Sequence, residues 1–118
     1  MIKQEREMRI EVKKQVREGK GEVTFTYLLE QQDYEGYARM IAKILLKPNC
    51  SIGYHQHCGE EEVITVLQGQ ATYVENGKTY ILNEGDTCVL HNGESHGIAN
   101  ETNENLWLYA IILTGLHK

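Results

Sequence analysis

From residue 54 onward the chain is a succession of short, evenly spaced runs rich in β-branched and aromatic residues: VITVLQG, QATYVE, KTYILN, DTCVLH, HGIAN and LWLYAIIL. Turn chemistry separates them. Asn76-Gly77, between ATYVE and KTYIL, is a strong signal for a two-residue type I′ hairpin, which needs positive φ at both central positions. Asn83-Glu84-Gly85 and Asn92-Gly93 mark further turns. Several short strands at about 8–12 residue spacing suggest an all-β sandwich or barrel. Closing the sheet would also remove the exposed edges that so many short strands would otherwise present.

The first half is less regular. VTFTYLL (23–29) reads as a strand. YARMIAKILL (37–46) is compatible with strand or helix by propensity alone. In residues 1–18, Met8, Val12 and Val16 share a helical face, while Met8, Ile10 and Val12 also alternate as in a strand. Gly19 and Gly21 then break the chain, and the single proline is Pro48. There are no repeats and no linker-like segment, so 118 residues are expected to form one domain, 1–118, with 1–20 as an N-terminal extension.

No stretch approaches the eighteen or so apolar residues of a membrane span, and the N-terminus lacks an apolar signal core; a cytoplasmic location and no membrane partner are expected. A net charge of −5 argues against a nucleic-acid partner, because the one basic cluster, Lys13, Lys14 and Arg17, is interleaved with Glu11 and Glu18. Three cysteines, Cys50, Cys58 and Cys88, give neither an even disulfide framework nor a C-x-x-C pair.

The chemistry concentrates in GYHQHCGEEEVITVLQG (53–69). On a strand, His55 and His57 point to one face and can approach a single cation. The pair alone is a weak signal, since such pairs also arise on solvated strands. Glu62 strengthens it: it opens the apolar run after the turn, and a hairpin through residues 58–61 would bring it beside His57. Glu60 and Glu61 are then expected in the turn, in solvent. His96 stands at the start of its strand as Glu62 does at its own, a position equally compatible with a structural histidine.

These two segments resemble the paired signatures of the cupin superfamily. The first, G-x5-H-x-H-x(3,4)-E-x6-G, is matched by His55, His57, Glu62 and Gly69, with Asn49 at the leading glycine. The second, G-x5-P-x-G-x2-H-x3-N, is matched by Gly85, Gly93, His96 and Asn100, with His91 at the proline. Asn tolerates left-handed φ, so the turn after Pro48 can survive; His91 puts the shape of the 91–93 loop in question.

The resemblance implies a double-stranded β-helix of the jelly-roll type. It implies one divalent transition-metal ion (Mn, Fe, Ni, Cu or Zn) bound by His55, His57, Glu62 and His96. It also makes 37–46 a strand and 23–29 a strand that can pair with a second subunit of a homodimer. Three imidazoles and one carboxylate around a divalent cation leave a net +1 site with open positions, suited to a small anionic ligand. The expected function is therefore a mononuclear metal-dependent enzyme of oxygenase, isomerase or decarboxylase type acting on a small polar or anionic metabolite. The alternative is a non-catalytic cupin that holds a sugar or other small ligand. No catalytic residue stands out. His91 is a candidate base with a surface histidine as its alternative, and Cys58 approaches the metal only if the turn begins there. Parity places Ile64, Val66, Ile98 and Asn100 inside the barrel with the ligands. It also pairs Trp107 with Tyr109, and Phe25 with Tyr27, as core or substrate-stacking aromatics.

Overall fold

Asn76 and Gly77 both take left-handed φ, 50° and 83°, and the strands they join pair in register from Ala71↔Leu82 to Glu75↔Lys78, the expected type I′ hairpin. The computed structural model describes residues 1–117; Lys118, the last residue of the expected domain, lies outside them. Ten strands follow in order: β1 (Arg9–Lys14), β2 (Glu22–Leu29), β3 (Ala38–Leu46), β4 (Ser51–Gln56), β5 (Glu61–Gln68), β6 (Ala71–Glu75), β7 (Lys78–Leu82), β8 (Thr87–Leu90), β9 (Ser95–Ala99) and β10 (Leu106–Leu113). They form two antiparallel sheets, β1-β2-β3-β10-β5-β8 and β4-β9-β6-β7, facing each other across the core. This is the all-β double-stranded β-helix.

The ambiguous segments resolve through pairing. Residues 37–46 yield β3, because β2 and β10 flank it on both sides. Most of the N-terminal segment is not helical: β1 pairs with β2 along its whole length, and only short 3-10 turns occupy Glu5–Glu7 and Val16–Glu18. That pairing corrects the expectation for 23–29. β2 has β1 on one side and β3 on the other, so it offers no free edge to a second subunit.

The core is aliphatic. Ile44, Leu46, Ile64, Val66, Leu106 and Leu108 from the larger sheet meet Ala71, Tyr73 and Ile98 from the smaller one. In β10 the buried residues are Leu106, Leu108, Ala110 and Ile112. Trp107 and Tyr109 therefore take the outer face, where Lys43 lies over the Trp107 ring; they are neither core nor cavity aromatics. Phe25 does face inward, 6% exposed, and stacks on Tyr27.

The turns carry the two signatures. Asn49 sits at φ 68°, the left-handed conformation the leading glycine would supply. With His91 in place of proline, the 91–94 turn still closes: Glu94 N–H donates to His91 O at 3.0 Å, and His91 N–H to Glu94 Oε1 at 2.8 Å. Gly69 is at φ 92°, and a Cβ there would lie 2.6 Å from Asn105 O, so the turn that ends β5 requires glycine on two counts. Among the described residues no helix is long and apolar enough to cross a membrane.

Candidate metal centre

β4 and β9 lie side by side with His55 directly opposite His96, so two imidazoles start as cross-strand neighbours. His57 follows just beyond the end of β4. Glu62 comes from β5 in the other sheet. Residues 57–60 therefore form a corner between the sheets rather than the expected hairpin. The loop between β8 and β9 makes the same crossing, and backbone bonds clamp the two corners: His57 N–H donates to Glu94 O (3.0 Å) and Gly93 N–H to His57 O (2.7 Å). A register shift in β4 between Ile52 and His55, a bulge at Gly53-Tyr54, lets both residues face the interior although they are three apart.

The four ligand-type atoms converge within 4.8 Å of one another. His55 Nε2 and His57 Nε2 are 2.9 Å apart; Glu62 Oε1 is 3.2 Å from His57 Nε2 and 3.0 Å from His96 Nε2. Ligand atoms bonded at about 2.1 Å and set at right angles on one cation stand roughly 3 Å apart, so these separations fit a shared ion.

The opposite ring nitrogens make the same point. His55 Nδ1–H donates to Gly53 O (2.6 Å), and His57 Nδ1–H to Glu60 Oε2 (2.5 Å). Tyr73 donates its hydroxyl hydrogen to Glu75 Oε1 at 3.1 Å, which leaves Tyr73 Oη to accept from His96 Nδ1–H at 2.9 Å. In the neutral rings all three Nε2 lone pairs therefore face inward with a carboxylate. Such a set repels itself until a proton or a metal cation occupies the middle. Three imidazole nitrogens and a carboxylate oxygen suit first-row divalent metals, and the cluster could hold one.

The electrostatics agree. Burial alone would raise the Glu62 carboxyl, but hydrogen bonds from His57 and His96, made when a proton sits on Nε2 in the place a metal would take, overcome it and hold it at about 2. The hydrogen bond with Glu62 raises His57, against burial and with help from Glu60. Burial depresses His55, opposed by its bond to Gly53 O. Burial also raises Tyr73, so the phenol stays protonated as an acceptor and donor.

Glu60 is the residue the sequence reading misplaced. It was expected in solvent, yet its side chain is only 13% exposed: one oxygen takes the His57 proton and both are gripped by Arg39, at 2.7 and 2.8 Å. The Arg39 bond pulls its pKa down to about 2. The i, i+3 spacing to His57 was the available signal. Glu61 pairs with His91 at 3.1 Å, and His91 is exposed and does not line the cavity. Cys58 is exposed and likewise apart from the cavity, and all three cysteines are free. Ile64 and Ile98 line the cavity wall as parity predicts. Asn100 is buried but serves the fold: its amide donates to Leu46 O and Glu104 O while its carbonyl accepts from Thr102.

The cluster opens on a cavity of about 170 Å³. Its walls are mostly apolar, including Phe25, Met40, Ile44 and Leu108, and its other ionisable groups are Lys13, Arg17 and Arg39, all cationic.

A jelly-roll barrel whose small cavity is lined by a three-histidine, one-carboxylate cluster defines a class of β-barrels that could hold a metal. The chain belongs to the cupin family: the Cupin domain family matches residues 42–112. It is 39% identical over 98 residues to the oxalate-binding protein of Thermotoga maritima, covering 83% of this chain and 81% of that one. It is similar to a Thermotoga maritima crystal structure described as a predicted oxalate decarboxylase, with a TM-score of 0.91 and 36% identity over 97% of this chain and 99% of the other. A third likeness is an uncharacterized conserved protein with a double-stranded β-helix domain from Klebsiella pneumoniae, at TM-score 0.69 and 26% identity, covering 85% and 84% of the two chains.

Proposed function

We propose that His55, His57, Glu62 and His96 hold one divalent transition-metal ion, and that the cavity binds a small carboxylate anion of the oxalate kind against it. The observation that carries this reading is the convergence of three inward Nε2 lone pairs and one carboxylate at the base of a small cavity whose other charged groups are all cationic. The similarity to an oxalate-binding protein supports it. The metal supplies positive charge and a Lewis-acid centre. The protein residues do the rest. Glu60 and Tyr73 hold the His57 and His96 rings in the tautomer that points Nε2 inward, and Gly53 O does so for His55. The small volume, about 170 Å³, limits the ligand to a few heavy atoms.

Binding is favoured over turnover by the cavity's chemistry. Decarboxylation must deliver a proton to the carbon that loses carbon dioxide, and beyond the cluster the cavity offers two arginines and a lysine. None is a good proton donor near neutral pH.

The test is elemental analysis of the purified protein, followed by calorimetric titration of metal-loaded and metal-stripped protein with oxalate. Saturable binding is expected only in the loaded form, with neither formate nor carbon dioxide released. Equal binding by a His57→Ala, Glu62→Ala double variant would overturn the assignment, and metal-dependent release of carbon dioxide would replace binding with catalysis.

A further inference from the structure

Three of the four residues from Gln15 to Glu18 have positive φ without being glycine: Gln15 at 50°, Arg17 at 52° and Glu18 at 65°. Each such residue is strained, and strain of this kind survives only where surrounding structure enforces it. The enforcement is visible. Gln15 N–H donates to Gly21 O and Ser51 N–H to Lys20 O, both at 2.9 Å, while Lys20 N–H reaches Ser51 Oγ at 2.9 Å. The strap lies directly on β4: a Cβ at Gly53 would overlap the carbonyl oxygen of Arg17, and one at Gly19 would overlap that of Ser51. The result is an arginine presented at the cavity that also contains His55 and His96.

Arg17 differs from the other two cations there. Arg39 is committed to Glu60 through Nε and Nη2. Lys13 lies over the Phe25 ring and 3.7 Å from Glu11. Arg17 is itself exposed, lines the cavity, and forms no ion pair among the described residues. A planar, permanently charged fork with nothing to grip, held in a strained loop beside an anion site, is built for a carboxylate that arrives from outside.

The geometry points to Arg17 as the residue that selects the ligand: it takes the carboxylate turned away from the His/Glu cluster, so the cavity prefers short dicarboxylates to monocarboxylates. This rests on the metal-and-carboxylate reading of the cluster given above. Gly53 ties the two halves of the site together, because its missing side chain lets the strap dock and its carbonyl orients His55.

The experiment uses the full chain loaded with metal and compares Arg17→Gly, Arg17→Lys and wild type by calorimetry with oxalate, malonate and acetate. Glycine accepts φ 52° without strain, so Arg17→Gly should melt no lower than wild type and keep its metal. Its affinity for oxalate should nonetheless fall by about tenfold or more, that for acetate by less than about twofold, and Arg17→Lys should recover part of the loss as a point charge. Wild-type oxalate affinity in Arg17→Gly, or equal wild-type affinities for oxalate and acetate, would overturn the role of Arg17 and leave the metal site standing. Parallel loss of metal, acetate and oxalate in Arg17→Gly would show a structural role instead and likewise overturn it. If the loaded wild type binds no carboxylate at all, both readings fall.

Discussion

Replacing Glu60 by glutamine tests the outer wall of the centre without touching a ligand atom. Glu60 accepts the His57 Nδ1 proton at 2.5 Å and is itself held by two bonds from Arg39 at 2.7 and 2.8 Å. A hydrogen bond to a charged acceptor contributes about 1.5–3 kcal/mol and a neutral one about 0.5–1.5, so the swap removes roughly 1–1.5 kcal/mol from the basicity and aim of His57. At about 1.4 kcal/mol per decade, metal affinity should fall by roughly five- to tenfold. The loss should lie toward the larger value because of hydrogen-bond matching. An amide has one acceptor oxygen, and if Arg39 captures it, the amide N–H₂ faces the His57 Nδ1–H. The ring must then move its proton to Nε2, where it occupies the position a metal needs. Competition against a chelator of known affinity at neutral pH reads the change directly. Glu61→Gln serves as the control, since Glu61 meets only the exposed His91, and its metal affinity should stay within about twofold of wild type. Equal affinities for wild type and Glu60→Gln, or an equal loss in Glu61→Gln, would refute the claim that Glu60 orients a ligand.

Three other expectations concern stability. Glu60 is held at about 2 against a usual 4.5, chiefly by Arg39, so that ion pair stabilises the metal-free fold above pH 4.5 and loses its contribution as pH falls from there toward 2; the melting-temperature gap between wild type and Glu60→Gln should close over that window, and a constant gap would contradict it. Asn100 is 1% exposed and satisfies Leu46 O, Glu104 O and Thr102, so Asn100→Ala should cost about 2–4 kcal/mol, seen as a lower denaturation midpoint with unchanged slope. Gly69→Ala combines a φ of 92° with a Cβ 2.6 Å from Asn105 O and should cost about 2 kcal/mol or more, whereas a neutral result would mean that the turn rearranges freely.

The sequence showed the fold wherever a local rule acts alone. Asn76-Gly77 specified its turn because only positive φ at both residues closes a two-residue hairpin. His55, His57, Glu62 and His96 could be picked out because motif spacing survives whatever path the chain takes between them. The corners were not legible. Residues 58–61 and 91–94 carry turn signals, but nothing in a turn signal says whether the chain returns beside the strand it left or crosses to the other sheet. Parity failed where a tertiary choice set the face of a strand. In β10 either alternate set is apolar, and the aliphatic set goes inward because it packs against Ile44 and Ile64, leaving Trp107 and Tyr109 outside. The pairing of His55 with His57 on one face held, although the Gly53 bulge resets the alternation just before His55. Glu60 was missed for another reason: three adjacent glutamates look alike in sequence, the i, i+3 spacing to His57 is a slight cue, and the Arg39 that grips it lies 21 residues away.

The charge arrangement is compatible with the proposed anion despite a net charge of −5. With a divalent cation in place the cluster carries +1, since the imidazoles are neutral and Glu62 supplies the one negative charge. The adjacent carboxylate, Glu60, would cancel that charge, but Arg39 neutralises it at salt-bridge distance. In the proposed site Arg39 would thus not serve the ligand; it would offset the carboxylate that repels one. That leaves Arg17 as the cation at the cavity with no protein counterion among the described residues. Screening confines the surrounding acidic surface, because fields between exposed charges fade over about 8 Å at physiological salt. A small dianion in the cavity would thus experience the cluster and Arg17 much more strongly than the net charge of the molecule, and the selectivity of the site would follow from two fixed positive centres and the distance between them.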